Sequence, residues 1–518
     1  MRVTQPLLRN QQQRPTAIAS IDGDRTYTWD ELVSRIARIA SGLKALGLKD
    51  KDRVGILALN SDRYMELLFA VPWAGGIVVP LNHRWSSAEI AFAVADSDTR
   101  IICVDETFEN TALEVVENVD HQLQIIGMDG SVKSAKTNVD ELAHDQTECP
   151  EKQSSQDDVS GIFYTGGTTG RSKGVMLTHG NHVSNTLQFL SIIDMTEESV
   201  YLHAAPMFHI ADALYVYMVT HIGGKHIFIP RFEPALCAQA IQDHKISDII
   251  LVPTMIQMLL EQPDFKHFDF SSLQRLYYGA SPMPEAVAHD LVNKFPWVKC
   301  FQLYGQTESA PLLTALDSKY HNTSNQNQGR MKSAGRAMPA VELKIVDENG
   351  EEVPRGQIGE IIAKGPNIMK GYWGQDELTS KTVKDGWLHT GDAAHMDEGG
   401  FIFISDRLKD MIISGGENIY STEVENALYE HNDVAQCAVI GIPDDKWGES
   451  VHAIVVPREG ANPSTEDLIS HCRKLIADYK CPRSISYRTE ALPLSGPGKV
   501  LKTELRKPFW EGKERQVN

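Results

Sequence analysis

Residues 164–174 read Tyr-Thr-Gly-Gly-Thr-Thr-Gly-Arg-Ser-Lys-Gly, a stretch dense in glycine, hydroxyl and cationic groups. Glycine lets the backbone approach a ligand closely and direct amide hydrogens at it, while hydroxyl and ammonium groups supply further donors. The spacing differs from that of the common P-loop, because Lys173 follows a serine and precedes a glycine. A flexible surface turn would not need so many hydroxyls beside a lysine. The stretch therefore predicts a different phosphate-binding loop, with the candidate residues Thr165, Gly166, Gly167, Thr168, Thr169, Gly170 and Lys173.

The segments before and after this loop alternate between helix and strand patterns. Thr28-x-x-Glu31 is a capping-box sequence in front of apolar residues at helical spacing, which predicts a helix. A strand at 54–59, a helix around 64–71 and a strand at 77–81 follow in the order of a βαβ unit. Further buried strands are predicted at 101–104, 248–252, 275–278 and 298–303. The predicted fold class is α/β.

The chain has 518 residues, of which 42% are hydrophobic, and this is more than one core can use. Short alternating segments broken by glycine-containing turns predict a β-rich subdomain at about 330–405. Beyond it, a second capping-box sequence, Thr422-x-x-Glu425, and further strand patterns predict a small α+β domain. We therefore expect an N-terminal domain at 1–406 and a C-terminal domain at 407–518.

Composition argues against several classes of function. The net charge of −19 and the pI near 5.4 disfavour nucleic acid as a partner, and a bound nucleotide would need Mg²⁺ as well as local cations. The seven cysteines are scattered, so neither a disulfide framework nor a zinc site is expected, and a reducing cytoplasm fits best. No signal-peptide pattern occurs, and the apolar run 67–81 contains prolines and a Gly-Gly pair, so no transmembrane segment is expected. A homodimer is compatible with the sequence, which leaves the oligomeric state open.

Four further clusters occur where loops should follow strands, which is where open α/β sheets bind ligands. Tyr304-Gly-Gln-Thr-Glu308 places a hydroxyl beside a carboxylate, which suits a phosphate and its Mg²⁺. Trp387-Leu-His-Thr-Gly-Asp392 ends on a carboxylate that could accept both hydrogen bonds of a ribose diol. Ser405-Asp-Arg-Leu-Lys-Asp410 adds two cations, and Ser495-Gly-Pro-Gly-Lys499 presents one lysine on a loop. Each cluster alone could be a polar turn or a solvated lysine, but together they indicate one site.

With these stretches in order, the chain resembles the acyl-adenylate-forming superfamily, which includes acyl-CoA synthetases, firefly luciferase and the adenylation domains of nonribosomal peptide synthetases. The resemblance covers nearly the whole chain. Its motifs are residues 164–174, Ala205-Pro-Met-Phe-His209, Tyr278-Gly-Ala-Ser281, Tyr304-Gly-Gln-Thr-Glu308, Thr390-Gly-Asp392, Asp406-Arg-Leu-Lys-Asp410 and Gly498-Lys499. It implies a large N-terminal domain of stacked α/β sheets with a small β-barrel subdomain, and a small mobile α+β C-terminal domain.

The resemblance also implies a reaction in two halves. A carboxylate attacks the α-phosphate of MgATP to give acyl-AMP and pyrophosphate, and the thiol of coenzyme A then takes the acyl group. Between the halves, the C-terminal domain would rotate about Lys409, carry Lys499 away and close a pantetheine tunnel. The cofactors and cosubstrates expected are therefore ATP, Mg²⁺ and coenzyme A.

By the same resemblance, Lys499 would bridge the substrate carboxylate and the α-phosphate, and Thr307 would bind phosphate with the 165–173 loop. Glu308 and Thr168 would hold Mg²⁺. Asp392 and Arg407 would hold the ribose. The remaining nucleotide-binding candidates, with adenine near the ends of two strands, are Gly279, Ala280, Ser281, Gln302, Tyr304, Gly305 and Gln306.

Two positions depart from the family pattern. Gly166 stands where the family usually has serine, but the neighbouring threonines and the backbone amide remain, so we expect activity to be retained. Ile413 stands four residues beyond the hinge, where many members have a lysine. Any role of that lysine in the thiol step therefore does not carry over.

The residues expected around the acyl group predict only which classes of acid are not expected as substrates. Gly305 stands where acetyl-specific relatives have tryptophan, so acetate is not the expected substrate. Amino-acid-activating domains have aspartate directly after Phe208, where this chain has His209, although Asp212 is close in sequence. A lone histidine among apolar residues is often a core residue, but His209 stands at the family's gating position. The expected pocket residues are His209, Ile210, Ala211, Ala213, Leu214, Tyr278, Gly279, Gly305 and Pro311.

Segments 410–420 and 442–449 most resemble bacterial fatty-acyl-CoA synthetases, so a medium- or long-chain fatty acid is the first expectation. An aromatic acid of the feruloyl or 4-coumaroyl type is the second. A freestanding ligase that loads a carrier protein is a further alternative. A nucleotide sensor without catalysis would not need Lys499, Glu308 and Asp392 together, and the common hydrolase motifs do not occur.

Overall fold

The computed structural model describes residues 1–165, 172–281, 283–321, 329–415, 417–444, 446–495 and 500–511. In chain order, its strands are β1 (Ile18–Asp22), β2 (Arg25–Thr28), β3 (Arg53–Leu57), β4 (Ile77–Pro80), β5 (Ile101–Val104), β6 (Gln124–Gly127), β7 (Val159–Thr165), β8 (Lys173–Thr178), β9 (Val200–His203), β10 (Lys225–Phe228), β11 (Asp248–Leu251), β12 (Arg275–Gly279), β13 (Lys299–Gly305), β14 (Leu312–Leu316), β15 (Arg336–Ala337), β16 (Glu342–Val346), β17 (Gly359–Lys364), β18 (Gly371–Tyr372), β19 (Val383–Lys384), β20 (Trp387–Met396), β21 (Ile402–Arg407), β22 (Ile412–Ser414), β23 (Glu417–Ile419), β24 (Val434–Asp444), β25 (Gly448–Pro457) and β26 (Ser484–Tyr487). Its α-helices are α1 (Gln5–Gln13), α2 (Trp29–Ala45), α3 (Asp62–Ala74), α4 (Ser87–Asp96), α5 (Glu109–Asn118), α6 (Val139–Asp145), α7 (His179–Leu190), α8 (Ile210–Ile222), α9 (Pro234–His244), α10 (Pro253–Leu260), α11 (Glu285–Lys294), α12 (Asp376–Thr382), α13 (Ser421–Tyr429), α14 (Thr465–Leu475) and α15 (Lys502–Trp510).

The strands of the N-terminal part form two large mixed sheets. One has the order β15-β14-β13-β12-β11-β9-β10-β1-β2, and its central strands β10, β9, β11, β12 and β13 run parallel. The other has the order β18-β8-β7-β4-β3-β5-β6, with β7 and β8 paired as an antiparallel hairpin. Helices α2 and α3 bury Trp29, Tyr64 and Phe69 in one apolar core. Parallel strands alternating with helices confirm the α/β fold class.

The candidate site is placed by the central strands of the first sheet. Because β11, β12 and β13 are parallel neighbours, their carboxyl ends lie side by side at one edge. Gly279 ends β12 and Gly305 ends β13, and the loops that follow carry two of the sequence motifs. The motifs are thus brought together by the sheet although they are far apart in sequence.

Two smaller antiparallel arrangements follow. Strands β16, β17, β20 and β19 form a sheet with β21 paired to β20. Strands β23, β22, β25 and β24 form another, with β26 paired to β25 and a core shared with α13 and α14. Strand β21 ends at Arg407 and β22 begins at Ile412, and we keep the division into domains at 406/407 as a proposal.

Of the two capping boxes predicted from the sequence, one is present in the structure and one is not. The capping box at α2 is confirmed: Thr28 accepts from the Glu31 amide at 3.3 Å, and Glu31 accepts from the Thr28 amide at 2.8 Å. The capping box at Thr422 is wrong, because α13 begins at Ser421 and Tyr420 precedes it without a side-chain cap. Within the described residues, no helix has the length and apolar character needed to cross a membrane.

Candidate functional site

A cavity of 1790 Å³ lies at the carboxyl edge of the first large sheet and extends to the C-terminal part of the chain. It brings together most of the site residues predicted from sequence that the structure describes. Those lining it are Thr165, Lys173, His209, Gly279, Ala280, Ser281, Gln302, Tyr304, Gly305, Gln306, Thr307, Glu308, Pro311, Asp392, Arg407 and Lys409. The predicted residues Gly166, Gly167, Thr168, Thr169, Gly170 and Lys499 lie outside the described residues.

Three of these residues form a compact polar group. Arg407 Nε lies 2.9 Å from Asp392 Oδ1, and the Tyr304 hydroxyl donates to Asp392 Oδ2 at 2.7 Å. Strands β20 and β21 hold Asp392 and Arg407 directly opposite each other. The Asp392 carboxylate raises the pKa of the Arg407 guanidinium further, so the cation is permanent. A carboxylate has about four lone-pair positions, so Asp392 keeps acceptor capacity for a sugar hydroxyl.

A second group of residues joins Glu308, the predicted metal ligand, to Lys173 of the predicted phosphate loop. The Tyr372 hydroxyl donates to Glu308 Oε1 at 2.7 Å, and Lys173 Nζ lies 5.4 Å from the centre of the Tyr372 ring. Strand β18 carries Tyr372 and pairs with β8, which begins at Lys173. Sequence reasoning missed Tyr372, because a single tyrosine after a glycine carries no distinguishing pattern. Tyr372 contacts both Glu308 and Lys173, and all three residues line the cavity.

The residues present fit Mg²⁺ bound mainly through phosphate. Within the described ranges, no group of three or more His, Cys, Asp and Glu side chains could hold a metal by itself. Mg²⁺ commonly keeps several waters and takes one or two carboxylates plus substrate phosphates. Glu308, which lines the cavity near Lys173, can supply such a carboxylate. The ion would then offset negative charge on the phosphate oxygens.

His209 precedes helix α8 and lines the cavity with an uncharged ring. Its Nδ1 accepts a hydrogen bond from the Ala211 amide at 3.2 Å, so it caps the helix. Burial lowers the pKa of His209 to about 4, because the protonated ring would lose hydration. At neutral pH the side chain is therefore a polar but uncharged part of the cavity wall.

Asp212 cannot meet a substrate ammonium group in this structure. It is fully buried, accepts from the Tyr201 hydroxyl at 3.0 Å and lies 2.7 Å from His203 Nδ1. It does not line the cavity. The sequence proximity of Asp212 to His209 is therefore no sign of amino-acid recognition.

The structure corrects two of the expected acyl-pocket residues. Tyr278 is 1% exposed, does not line the cavity and hydrogen-bonds His321 Nε2 at 2.9 Å. Side chains alternate across a strand, so Tyr278 points into the helix-covered core while the cavity is reached only at Gly279, where β12 ends. Ala213 is likewise buried away from the cavity, whereas Ile210, Ala211 and Leu214 do line it.

Gly305 lines the cavity, but the reason for glycine differs from the expected one. A β-carbon at this position would overlap the Pro311 carbonyl oxygen and crowd the Leu313 amide nitrogen. The close approach of β13 and β14 therefore requires glycine here. The absence of a side chain is imposed by the backbone and not only by the space an acyl group needs.

Residues on both sides of Lys499 border the same cavity. Leu494, Ser495, Val500 and Leu501 contribute to its lining. Arg84 Nη1, from the segment after β4, donates to the Ser495 carbonyl oxygen at 3.2 Å. The described residues on either side of Lys499 therefore lie at the cavity.

Comparison with known proteins agrees with this geometry. Family models described as "AMP-binding enzyme" and "AMP-binding enzyme C-terminal domain" match residues 7–373 and 423–499. The chain is 38% identical to a feruloyl-CoA synthase from Amycolatopsis sp over 503 residues, covering 97% of this chain and 98% of that protein. It is 34% identical to the fatty acid–[acyl-carrier-protein] ligase ScoC of Streptomyces coeruleorubidus, covering 98% and 96%. The solved structure of o-succinylbenzoate CoA synthetase from Bacillus subtilis with its acyl-adenylate intermediate superimposes with a TM-score of 0.85 at 30% identity, covering 96% and 97%.

Proposed function

Because the chain belongs to the AMP-binding enzyme family and is an AMP-forming acid–thiol ligase, we propose that it joins an aromatic acid of the ferulate type to coenzyme A. From the sequence alone, a fatty acid is the first expected substrate. Two observations favour an aromatic acid instead. Tyr215, which sequence analysis did not identify, lines the cavity, and a feruloyl-CoA synthase is among the most similar relatives.

Tyr215 carries the proposal. It lines the cavity from helix α8, is fully buried, and its hydroxyl has no hydrogen-bond partner among the described residues. A buried hydroxyl without a partner costs about 1–3 kcal/mol. We propose that a ring hydroxyl or methoxy oxygen of the bound acid hydrogen-bonds the Tyr215 hydroxyl, which an alkyl chain could not do. Because this hydroxyl has no accessible surface in the structure, the contact requires the side chains around it to move when the acid binds. This contact would favour an acid with a polar ring substituent.

The surroundings of Tyr215 favour a flat ring. Its ring stacks on Tyr201 with 4.7 Å between centres and 13° between planes, so the wall is closed behind it. Ala211, Leu214 and Ile250 complete an apolar lining beside it. Planar aromatic groups stack favourably on such surfaces. A cinnamic acid could place its ring here and its carboxylate toward His209 and Gly305.

For the first half-reaction we propose the following roles. Lys499 would offset charge between the substrate carboxylate and the α-phosphate, and Thr307 would bind phosphate oxygens. Glu308 would contribute to Mg²⁺ binding, while Asp392 with Arg407 would hold the ribose. The protein mainly positions the reactants in line and neutralises charge as pyrophosphate leaves. For the second half-reaction, coenzyme A is the proposed thiol.

The test compares ferulate with cinnamate, which lacks the ring oxygens. The wild-type protein should prefer ferulate in kcat/KM. Tyr215→Phe should reduce that preference about tenfold, the effect of one lost hydrogen bond in a buried site. The matched control is Tyr217→Phe, because Tyr217 lies on the same helix with a buried unpartnered hydroxyl but does not line the cavity. An unchanged preference in Tyr215→Phe would refute the assigned role of Tyr215.

A fatty acid is the second candidate, and a separate set of contacts favours it. Val252, Pro253, Met283 and Ala288, which lie at the starts of α10 and α11 or next to them, also line the cavity and offer apolar surface for an alkyl chain. The similarity to a fatty acid–[acyl-carrier-protein] ligase points the same way and raises a carrier protein as an alternative acceptor. Accumulation of acyl-AMP without acyl-CoA would indicate that acceptor.

A further inference from the structure

A buried carboxylate on the N-terminal side of the proposed hinge contacts the first helix on its C-terminal side. Asp406 Oδ2 accepts two hydrogen bonds from Ser421, one from the backbone amide at 2.6 Å and one from the hydroxyl at 2.6 Å. Asp406 is 5% exposed and Ser421 is fully buried. Helix α13 has no side-chain cap of its own, so Asp406 serves its N-terminus, where negative charge is favourable.

The same contact continues toward the loop that carries Lys499. Lys502 Nζ donates to the Ser421 hydroxyl oxygen at 2.5 Å and lies 2.7 Å from Glu425 Oε1. Burial opposes the charge of Lys502, but the nearby carboxylates of Glu425 and Asp406 raise the pKa of its ammonium group. Lys502 begins helix α15, three residues after Lys499. A continuous chain of hydrogen bonds therefore links Asp406 to the base of that loop.

The residues of this contact lie on both sides of the proposed hinge, Lys409, in the chain. Asp406 belongs to β21 and precedes Lys409, whereas Ser421, Glu425 and Lys502 follow it. Another polar contact between the two parts, Arg458 with Glu261 at 3.3 Å, involves side chains that are about half exposed. Exposed ion pairs contribute little to stability, whereas buried hydrogen bonds to a charged group contribute more. The Asp406 contact is therefore a stronger constraint on orientation than the Arg458–Glu261 pair.

We propose that Asp406 is a positioning residue for the first half-reaction: it holds the C-terminal part in the orientation that places the residues flanking Lys499 at the cavity, and it must release Ser421 when that part rotates about Lys409. The proposal rests on the proposed function and on Lys409 as the hinge. Loss of the contact lowers the population of the adenylating orientation, and the rate of acyl-AMP formation falls with that population.

The experiment measures the two half-reactions separately in Asp406→Ala and in Ser421→Ala. Pyrophosphate release from acid and MgATP should fall about tenfold or more in Asp406→Ala, which corresponds to the loss of one such contact. Formation of acyl-CoA from supplied acyl-AMP should stay within about twofold, because that half does not use this orientation. Ser421→Ala should show a smaller fall, since its backbone amide still donates to Asp406.

Glu261→Gln is the matched control, because it breaks the exposed contact between the same two parts, and both halves should be unchanged. Asp406→Asn replaces Asp406→Ala if the latter does not fold, as judged by thermal unfolding. The same split between the halves is expected with a smaller fall in pyrophosphate release, because the amide oxygen can still accept from Ser421 but carries no charge. An equal fall in both halves, or no fall in either, would overturn the proposal.

Small-angle scattering of the protein without substrates provides a readout that does not depend on turnover. Asp406→Ala should have a distance distribution shifted from that of the wild type, and an identical distribution would overturn the proposal. If the wild type forms no acyl-AMP from any acid, the proposed function fails, while scattering still decides whether Asp406 sets the orientation.

Discussion

At the scale of single residues, Lys499 is assigned the central charge in adenylation. Removing one preorganised charge-stabilising group typically costs about 10²–10³-fold in rate, and Lys499→Ala should slow acyl-AMP formation by that amount. Thioester formation from supplied acyl-AMP should be retained, because the proposed second half-reaction does not use the lysine. The measurement is pyrophosphate release beside acyl-CoA formation from synthetic acyl-AMP. Equal loss in both would contradict the assignment.

Tyr372 is expected to act through Glu308. Tyr372→Phe removes a 2.7 Å hydrogen bond to that carboxylate while preserving the ring beside Lys173. We expect the KM for MgATP to rise about tenfold, in line with one hydrogen bond to a charged group. Tyr277→Phe is the control, since it removes a comparable 2.9 Å bond to the buried Asp248 away from the cavity. Equal effects of the two substitutions would show that the change is structural.

Some residues of the cavity could be predicted from the sequence, and others could not. Glu308, Asp392 and Arg407 were identified because they belong to compact motifs, and the structure places all three at one cavity. Tyr215 and Tyr372 belong to no motif. Their importance arises from which groups they face after folding, and side-chain environment cannot be read from a single chain without its contacts.

At the scale of elements, the hairpin of β13 and β14 requires glycine at position 305. Gly305→Ala should lower the free energy of unfolding by about 1–3 kcal/mol or more, because the added methyl group would overlap the Pro311 carbonyl oxygen. The urea midpoint measures this change. Gly130→Ala is the control, since a β-carbon there would meet no atom within 4 Å. Similar midpoints for the two variants would mean that the hairpin can yield.

Element boundaries were predictable where the signal was local. Thr28 and Glu31 specify the start of α2 through their own mutual hydrogen bonds. Thr422 and Glu425 have the same spacing, but Glu425 pairs with Lys502 and Asp406 serves the helix start instead. A partner distant in sequence thus replaced the local cap, and no local pattern could have indicated it.

At the scale of the whole molecule, buried neutral histidines make stability sensitive to acid. Burial lowers the pKa to about 4 for His83, His179, His209, His221 and His321, and to about 3 for His182. In the unfolded chain, histidine binds protons near pH 6.5. The unfolded state therefore binds more protons between about pH 6.5 and 4, and the free energy of unfolding must fall as the pH falls through that window.

Urea midpoints measured from pH 7 to pH 4 test this expectation. His182→Leu should make the decline shallower, because His182 is fully buried and neither ring nitrogen has a partner among the described residues. His144→Gln should leave the decline unchanged, because the His144 side chain is 88% exposed. A flat profile in the wild type would contradict the lowered pKa values.

The arrangement of the whole chain was the hardest feature to predict from the sequence. Alternating patterns predicted α/β layers, but the cavity is formed jointly by the edge of one sheet and by residues 494, 495 and 500–504 from the opposite end of the chain. Only the order of motifs, compared with a family, suggested that these segments meet. Physical patterns of period and composition describe neighbours along the chain, not partners hundreds of residues apart.

The most direct test of the account is mass spectrometry of the products formed from MgATP, coenzyme A and an equimolar mixture of ferulate, 4-coumarate, cinnamate and short, medium and long fatty acids. We expect a feruloyl or 4-coumaroyl thioester of coenzyme A to dominate, with AMP formed in equal amount. A dominant fatty acyl-CoA would contradict the proposed substrate, and the absence of both acyl-CoA and acyl-AMP would contradict the acid–thiol ligase itself.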